Sequence, residues 1–456
     1  MLRIFLGALF LLLLQPVLAD DVSSYQKTAD EIVESARSTE KGWDRLATLY
    51  PLYPHRLSGT SALEDAIDWI VKEMESDGFD RVTTEEVTVP HWERGVERLT
   101  VLKEKPEDLA VVALGGSVST PKEGLEAEIL VVESYEELDR RRAEAVGKIV
   151  VFNVPFTTYG ETVGYRITGA SRAADAGAVA ALLRSVTPNS LATPHTGVMA
   201  YDEGSDKVPF GAITPEAAMH FHRLQERGVT VKVRLVLETK EFPDAQSRNV
   251  IAEIRGTEFP EEVIVMGGHI DGWDIGEGAQ DDAGGSVMCW EALRVIKSLG
   301  LKPKRTIRVV LWTNEENGLQ GAKTYRRLHD LEVENHVLAI ESDYGTFHPT
   351  GYAFTGKKKA EEILESVVGL LKQTVGEMTI KTPGGGADIG PLMKEGVPGA
   401  ALTHQSDRYF WYHHSPADTL DKIEPDDFRN CVATLAVTVF VVADLPERLP
   451  FGGAEE

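Results

Sequence analysis

A chain of 456 residues, 42% hydrophobic and 26% charged, is long enough for two or three domains. Its composition excludes collagenous, low-complexity and disordered classes. A net charge of −25, from 72 acidic against 47 basic residues, disfavours nucleic acid and anionic membrane surfaces as partners. The two cysteines, Cys289 and Cys431, each lie in an apolar run, which reads as buried thiols rather than a disulfide framework.

The first stretch, "MLRIFLGALFLLLLQPVLAD", has a basic Arg3, an apolar run from Ile4 to Leu14 and small residues ending at Ala19. It reads as a signal peptide over 1–19 and predicts a secreted or periplasmic protein; an uncleaved anchor is the alternative. Residues 20–118 open with helical text, "SSYQKTADEIVESARSTEKGWDRLATLY" and "SALEDAIDWIVKEMESDGF", in which apolar residues recur every three or four positions. Alternating "RVTTEEVTVPHW" follows as a strand. From 119 to 241 short β-like runs, "AEILVV" and "GKIVVFNV", flank "ASRAADAGAVAALLRSV", read as a small-residue helix. That stretch holds no ligand-like cluster and reads as an inserted domain, or else as part of one large sheet. From 242 to 456 strands and helices alternate: "NVIAEI", "EEVIVMGG", "TIRVVLWT" and "HVLAIESD" against "SVMCWEALRVIKSLG", "GAKTYRRLH" and "AEEILESVVGLLKQ". This predicts an α/β fold, a mixed central sheet with helices on both faces. The apolar "CVATLAVTVFVVADL" is too short to span a bilayer and predicts a buried core helix.

In such sheets sites form beyond the carboxyl ends of the strands, and there the chemistry-bearing residues collect. "VIVMGG" runs into His269, Asp271, Asp274, Asp281 and Asp282. "TIRVVLWT" runs into Glu315 and Glu316, and "HVLAIE" into Asp343. "WYHHSPADT" adds His413, His414 and Asp418. Each has a duller reading as a cap, turn or core residue. Together they would put mutually repelling anions at one sheet edge unless a cation lay between them. Mixed imidazole and carboxylate donors suit zinc, with cobalt or manganese as substitutes.

The string His269-x-Asp271, Asp281-Asp282-Ala-Gly-Gly, Glu315-Glu316, Asp343 and His414-Ser-Pro-Ala-Asp418-Thr419 resembles the co-catalytic di-zinc exopeptidases, the group of bacterial leucyl aminopeptidases and glutamate carboxypeptidases. "PHRLSGT", "VPHWERG", "GGHIDGWDIGEGAQDDAGG", "ESDYGTF" and "GVPGA" look most like its plasma glutamate carboxypeptidases. The resemblance implies a zinc-exopeptidase catalytic domain over 20–118 and 242–456, with a protease-associated α+β insertion over 119–241. It implies two zinc ions: His269 with Asp343 on one, Glu316 with His414 on the other, and Asp281 bridging. Glu315 would stay unligated as general base to a metal-activated water. Asp271 would orient His269, and the Asp281–Asp282 peptide would be cis.

Immediately before the last ligand this chain has His413 where some of the group carry Tyr. His413 either donates to the tetrahedral oxyanion or packs; Tyr409 and Tyr412 are other donors. Asp388, after three glycines in "PGGGADIGPL", either receives the substrate's amino group or closes a turn. Lys394 and Arg408 are cation candidates for a substrate carboxylate. The substrates implied are small peptides, dipeptides with unblocked ends first, and an aminopeptidase on longer peptides second. A homodimer is also implied. A non-catalytic, receptor-like binding protein of the same fold is the rival of another class. No Gly-x-Ser-x-Gly, His-Glu-x-x-His, P-loop or Cys-x-x-Cys motif occurs.

Overall fold

The computed structural model describes residues 20–189, 191–405 and 408–453; the expected leader, 1–19, lies outside them. After a single helical turn, Asp20–Ser23, come three longer helices, Gln26–Ser38, Lys41–Leu52 and Ser61–Ser76. The third is started by the Thr60 hydroxyl, which accepts the Leu63 N–H and so satisfies an amide the helix cannot.

Among the described residues fourteen strands are hydrogen-bonded into one mixed sheet. At its centre Arg305–Trp312, Phe259–His269, His336–Glu341 and Gly399–His404 lie side by side in parallel. In Arg305–Trp312 every residue is buried, because the sheet is covered on both faces. Ile307, Val309 and Leu311 enter one core, beneath helices Gly284–Ser298 and Pro425–Asp444. Val310 and Trp312 enter the other, with Ala322 and Tyr325 of helix Gln320–Leu328. The C-terminal apolar run is thus a buried core helix. Among the described residues no helix is long and apolar enough to cross a membrane.

A long strand, Lys232–Ile254, joins the two ends of the sheet. Its last residues pair antiparallel with Arg305–Trp312 and its first with Leu125–Val132. Beyond it Leu125–Val132, Ile149–Phe152, Ala180–Arg184 and Phe210–Ile213 continue in parallel over their own apolar clusters. Residue 241 therefore sits inside a continuous strand. Strand Arg81–Val101 pairs with Lys232–Ile254 over nearly its whole length.

One element differs from expectation. The helix Tyr159–Asp175 stops, and Ala180–Arg184 is a strand. Gly177 at φ 83° ends the helix, since only glycine takes that conformation freely. The next residues are drawn into the gap between two parallel strands, and tertiary pairing overrides their helix-compatible composition.

Candidate metal centre

His269 is the last residue of its strand, and Asp281 returns to it through the loop 270–280. The loop is built from buried polar groups. Arg56 is wholly buried and donates to the carbonyls of Ile270, Tyr53, Glu277 and Gly278. The Asp418 carboxylate accepts the N–H groups of Gln280 (2.7 Å) and Asp281 (3.1 Å). The Asp281–Asp282 peptide is cis, as expected. The second aspartate has a different task from the first: its carboxylate accepts the N–H groups of His269 (3.1 Å) and Gly285 (3.2 Å). A Cβ on Gly268 would lie 2.2 Å from that carboxylate, so a glycine is required there.

The structure brings the sequence-predicted donors together. His269 Nε2 lies 3.3 Å from Asp281 Oδ1 and 3.5 Å from Asp343 Oδ1. His414 Nε2 lies 3.2 Å from Asp281 Oδ2 and 2.9 Å from Glu316 Oε2. Asp281 stands between the two groups. His413 joins the second: its Nε2 is 3.6 Å from Asp281 Oδ2, and its ring stacks on His414 at 3.5 Å between centroids. His414 has φ 60°, a conformation non-glycine residues seldom adopt and one that clusters at sites.

Two sets of donor atoms, His269–Asp281–Asp343 and Asp281–His413–His414, each lie within 4.8 Å of one another. His269 Nε2, Asp281 Oδ2 and Glu316 Oε1 are buried and make no hydrogen bond among the described residues. Buried polar atoms without partners are rare and costly. Burial raises Glu316 to about 7 and pushes Glu315 well above the carboxylate range, with nearby Asp343 adding to the rise at Glu315. Burial would raise Asp281 too, but His413, His269 and His414 hold it well below. Unpartnered imidazole and carboxylate atoms around one shared aspartate fit a pair of divalent cations.

Glu315 and Glu316 lie on the turn after Arg305–Trp312. The Asp271 carboxylate accepts the main-chain N–H groups of both, at 3.1 and 3.3 Å, and the Ser58 hydroxyl at 3.2 Å. His269 Nδ1 meets the Asp271 main-chain carbonyl at 3.0 Å. The Asp271 carboxylate is 3.7 Å from the same nitrogen, outside hydrogen-bond range. Asp271 thus touches His269 through its backbone and the glutamate turn through its side chain.

A cavity of about 480 Å³ opens on the cluster. Glu315, Glu316, Asp281, Asp343, His413, His414 and Tyr409 line it, whereas Tyr412 and Asp388 do not. Tyr409 Oη is 3.5 Å from Asp343 Oδ1. Lys394 and Arg408 are exposed and lie outside the lining.

Of the lining residues that escaped the sequence reading, two are charged. Glu341 ends its strand two positions before Asp343. Arg166, on helix Tyr159–Asp175, is the one Lys or Arg in the described lining. Its Nη2 donates to Tyr159 Oη at 2.9 Å, its Nε to the Val198 carbonyl at 3.2 Å, and its Nη1 lies 3.3 Å from His414 Nδ1. The acid at the end of "HVLAIE" was a visible signal for Glu341. Nothing in the sequence pointed to Arg166.

Known proteins resemble this chain over most of its length. The profile of peptidase family M28 matches residues 249–439. Carboxypeptidase Q of Xenopus laevis is 45% identical over 433 residues, spanning 94% of this chain and 92% of that protein. The Homo sapiens carboxypeptidase Q is 43% identical over 434 residues, spanning 94% and 92%. The crystal structure of a peptidase M28 precursor from Shewanella amazonensis superposes with a TM-score of 0.90 at 35% identity, covering 94% of this chain and 99% of that one. An aminopeptidase from Aneurinibacillus sp. strain AM-1, at 19% identity and TM-score 0.65 over 94% and 100%, shares the fold.

Proposed function

The chain belongs to peptidase family M28 and is a metallopeptidase, and from that premise we propose an exported, zinc-dependent exopeptidase that hydrolyses small peptides, dipeptides with free termini first among them. Its carboxypeptidase Q relatives support an exopeptidase. What carries the reading is the convergence of His269, Asp281, Asp343, Glu316 and His414 beside the cavity that Glu315 lines.

His269 and Asp343 would hold one zinc ion, Glu316 and His414 the other, with Asp281 between them. When bound, the pair supplies Lewis acidity to the scissile carbonyl and eases deprotonation of a solvent molecule. Glu315 takes that proton on its carboxylate and returns it to the leaving amine. Asp271 fixes the turn that carries Glu315. Tyr409 and His413 are the donors available to the developing oxyanion.

The cavity has the size of a short peptide's site. Arg166 supports a free carboxyl terminus, because a buried guanidinium pairs a carboxylate in a fixed fork. If His414 binds metal through Nε2, its Nδ1 carries the proton and cannot accept from Arg166 Nη1. That leaves an N–H free for substrate. In this reading 119–241 is a protease-associated unit that contributes Arg166 and Tyr159 to the site. Export rests on the leader-like stretch 1–19.

A longer peptide is the second reading. A neighbouring cavity of about 380 Å³ shares Val198 and Asn317 with the first and could take further residues. A panel of dipeptides and tripeptides, blocked and unblocked at each end, tests both with zinc-loaded and metal-stripped protein. Fast cleavage of unblocked dipeptides by the zinc form alone is expected. Equal cleavage of tripeptides moves the conclusion to the second reading, and full activity without metal ends both.

A further inference from the structure

We propose that Glu341 receives the protonated amino group of the peptide, with Asp388 behind it, so that the cavity reads both ends of its substrate. The identity of the ligand rests on the peptidase reading above; the geometry stands apart from it.

Glu341 is 2% exposed yet lines the cavity with Glu315 and Asp343. Its two oxygens accept the N–H groups of Ala387 (2.8 Å) and Ile389 (2.9 Å). Each oxygen keeps a lone pair, so the carboxylate is fixed in place but not exhausted as an acceptor. Gly386 makes the approach possible: a Cβ there would lie 2.2 Å from Glu341 Cδ.

Asp388 supplies a second observation. It is 2% exposed, and neither carboxylate oxygen has a hydrogen-bond partner among the described residues. Neither Glu341 nor Asp388 belongs to the donor sets around Asp281. The ligands proposed above, His269, Asp281, Asp343, Glu316 and His414, include neither acid. Arg166 belongs to the other end, beside His414.

A cation arriving with the substrate is what this corner lacks. An alkylammonium brings three donors to it. A peptide then lies with its amino group toward Glu341 and its carboxylate toward Arg166. The distance between the two ends would limit its length.

The test compares L-alanyl-L-alanine with N-propionyl-L-alanine, which lacks only the amino group. Zinc-loaded wild-type protein is expected to favour the dipeptide in kcat/KM by roughly tenfold to a hundredfold, the scale of one charge-assisted hydrogen bond. Glu341→Gln should cut that ratio at least about tenfold. Asp388→Asn, a second variant at a side chain with no hydrogen bond to lose, should lower it too. A wild type indifferent to the amino group, or an unchanged ratio in whichever variant folds, overturns the proposal. Should the wild type cleave no peptide, the peptidase reading fails. Calorimetric titration with the same two compounds then decides Glu341 alone: preferential binding of the dipeptide sustains it, and equal binding sinks it.

Discussion

The Asp271 carboxylate receives the main-chain N–H of Glu315 at 3.1 Å, across 44 residues of sequence. Its other oxygen receives the Glu316 N–H at 3.3 Å. One buried acid therefore sets the backbone of both the expected base and an expected ligand. Asp271→Asn keeps the volume but turns one acceptor into a donor facing an N–H group. We expect a loss of at least about tenfold in kcat, from misplacement of a group that acts by position. Metal content, measured by elemental analysis, should stay near wild type, because Asp271 supplies no donor atom to the cluster. A variant with wild-type kcat would show that the turn needs no such tether.

Glu315→Gln separates the two adjacent glutamates. It removes the proton acceptor and leaves Glu316 in place. Both metals should remain bound while kcat falls at least about a hundredfold, the usual scale for loss of a general base. Near-normal turnover would remove Glu315 from that role; loss of one metal would make it a ligand instead.

Arg166 tests the carboxyl-terminal end of the cavity. Arg166→Lys keeps the charge and gives up the fork. The KM for dipeptides with a free carboxylate is expected to rise roughly tenfold, the size of one charge-assisted hydrogen bond. The KM for the matching dipeptide amides should move much less. Equal changes for acid and amide would mean that Arg166 only props the wall through Tyr159 and Val198.

How far the sequence revealed this site follows from what places each residue. His269, Glu316 and Asp343 lie at or just beyond strand ends, where strand periodicity can be read locally, and Asp281 and His414 lie farther along the segments that follow such strands. Their convergence on one edge follows from parallel order alone. Arg166 is different. Its approach to His414 depends on how the strands beyond Lys232–Ile254 set helix Tyr159–Asp175 against the cluster, and no local pattern encodes that. Glu341 ends an apolar strand, and its register in the sheet places it at the cavity. Asp388 differs again: its neighbours Gly386 and Ala387 line the cavity, while its own side chain is not part of that lining. Arg56 and the Asp418 carboxylate act entirely through backbone groups, which carry no residue signal. At 180–184 small side chains suit helix and strand alike, so the two flanking strands decided.

The last prediction concerns stability away from the site. His336 is buried; its Nδ1 lies 3.1 Å from the Glu332 carbonyl and its Nε2 3.0 Å from Tyr325 Oη. Arg308 donates to that same hydroxyl at 2.7 Å. The hydroxyl proton is thereby directed at Nε2, which must accept it, so the neutral ring is the one that fits. Burial first, and the Arg308 charge next, lower His336 to about 4. An unfolded chain protonates this ring near 6.5 and the folded chain resists until about 4. Its contribution to stability is therefore whole above about pH 6.5 and drains away as pH falls toward 4, by about 3 kcal/mol in all. Urea denaturation from pH 7.5 to 4, with chelator present so that metal release does not enter, reads this directly. His336→Gln should be less stable than wild type at pH 7.5 but lose less on acidification, so the two curves converge. Parallel curves would show that His336 takes up its proton no later in the folded chain than in the unfolded one.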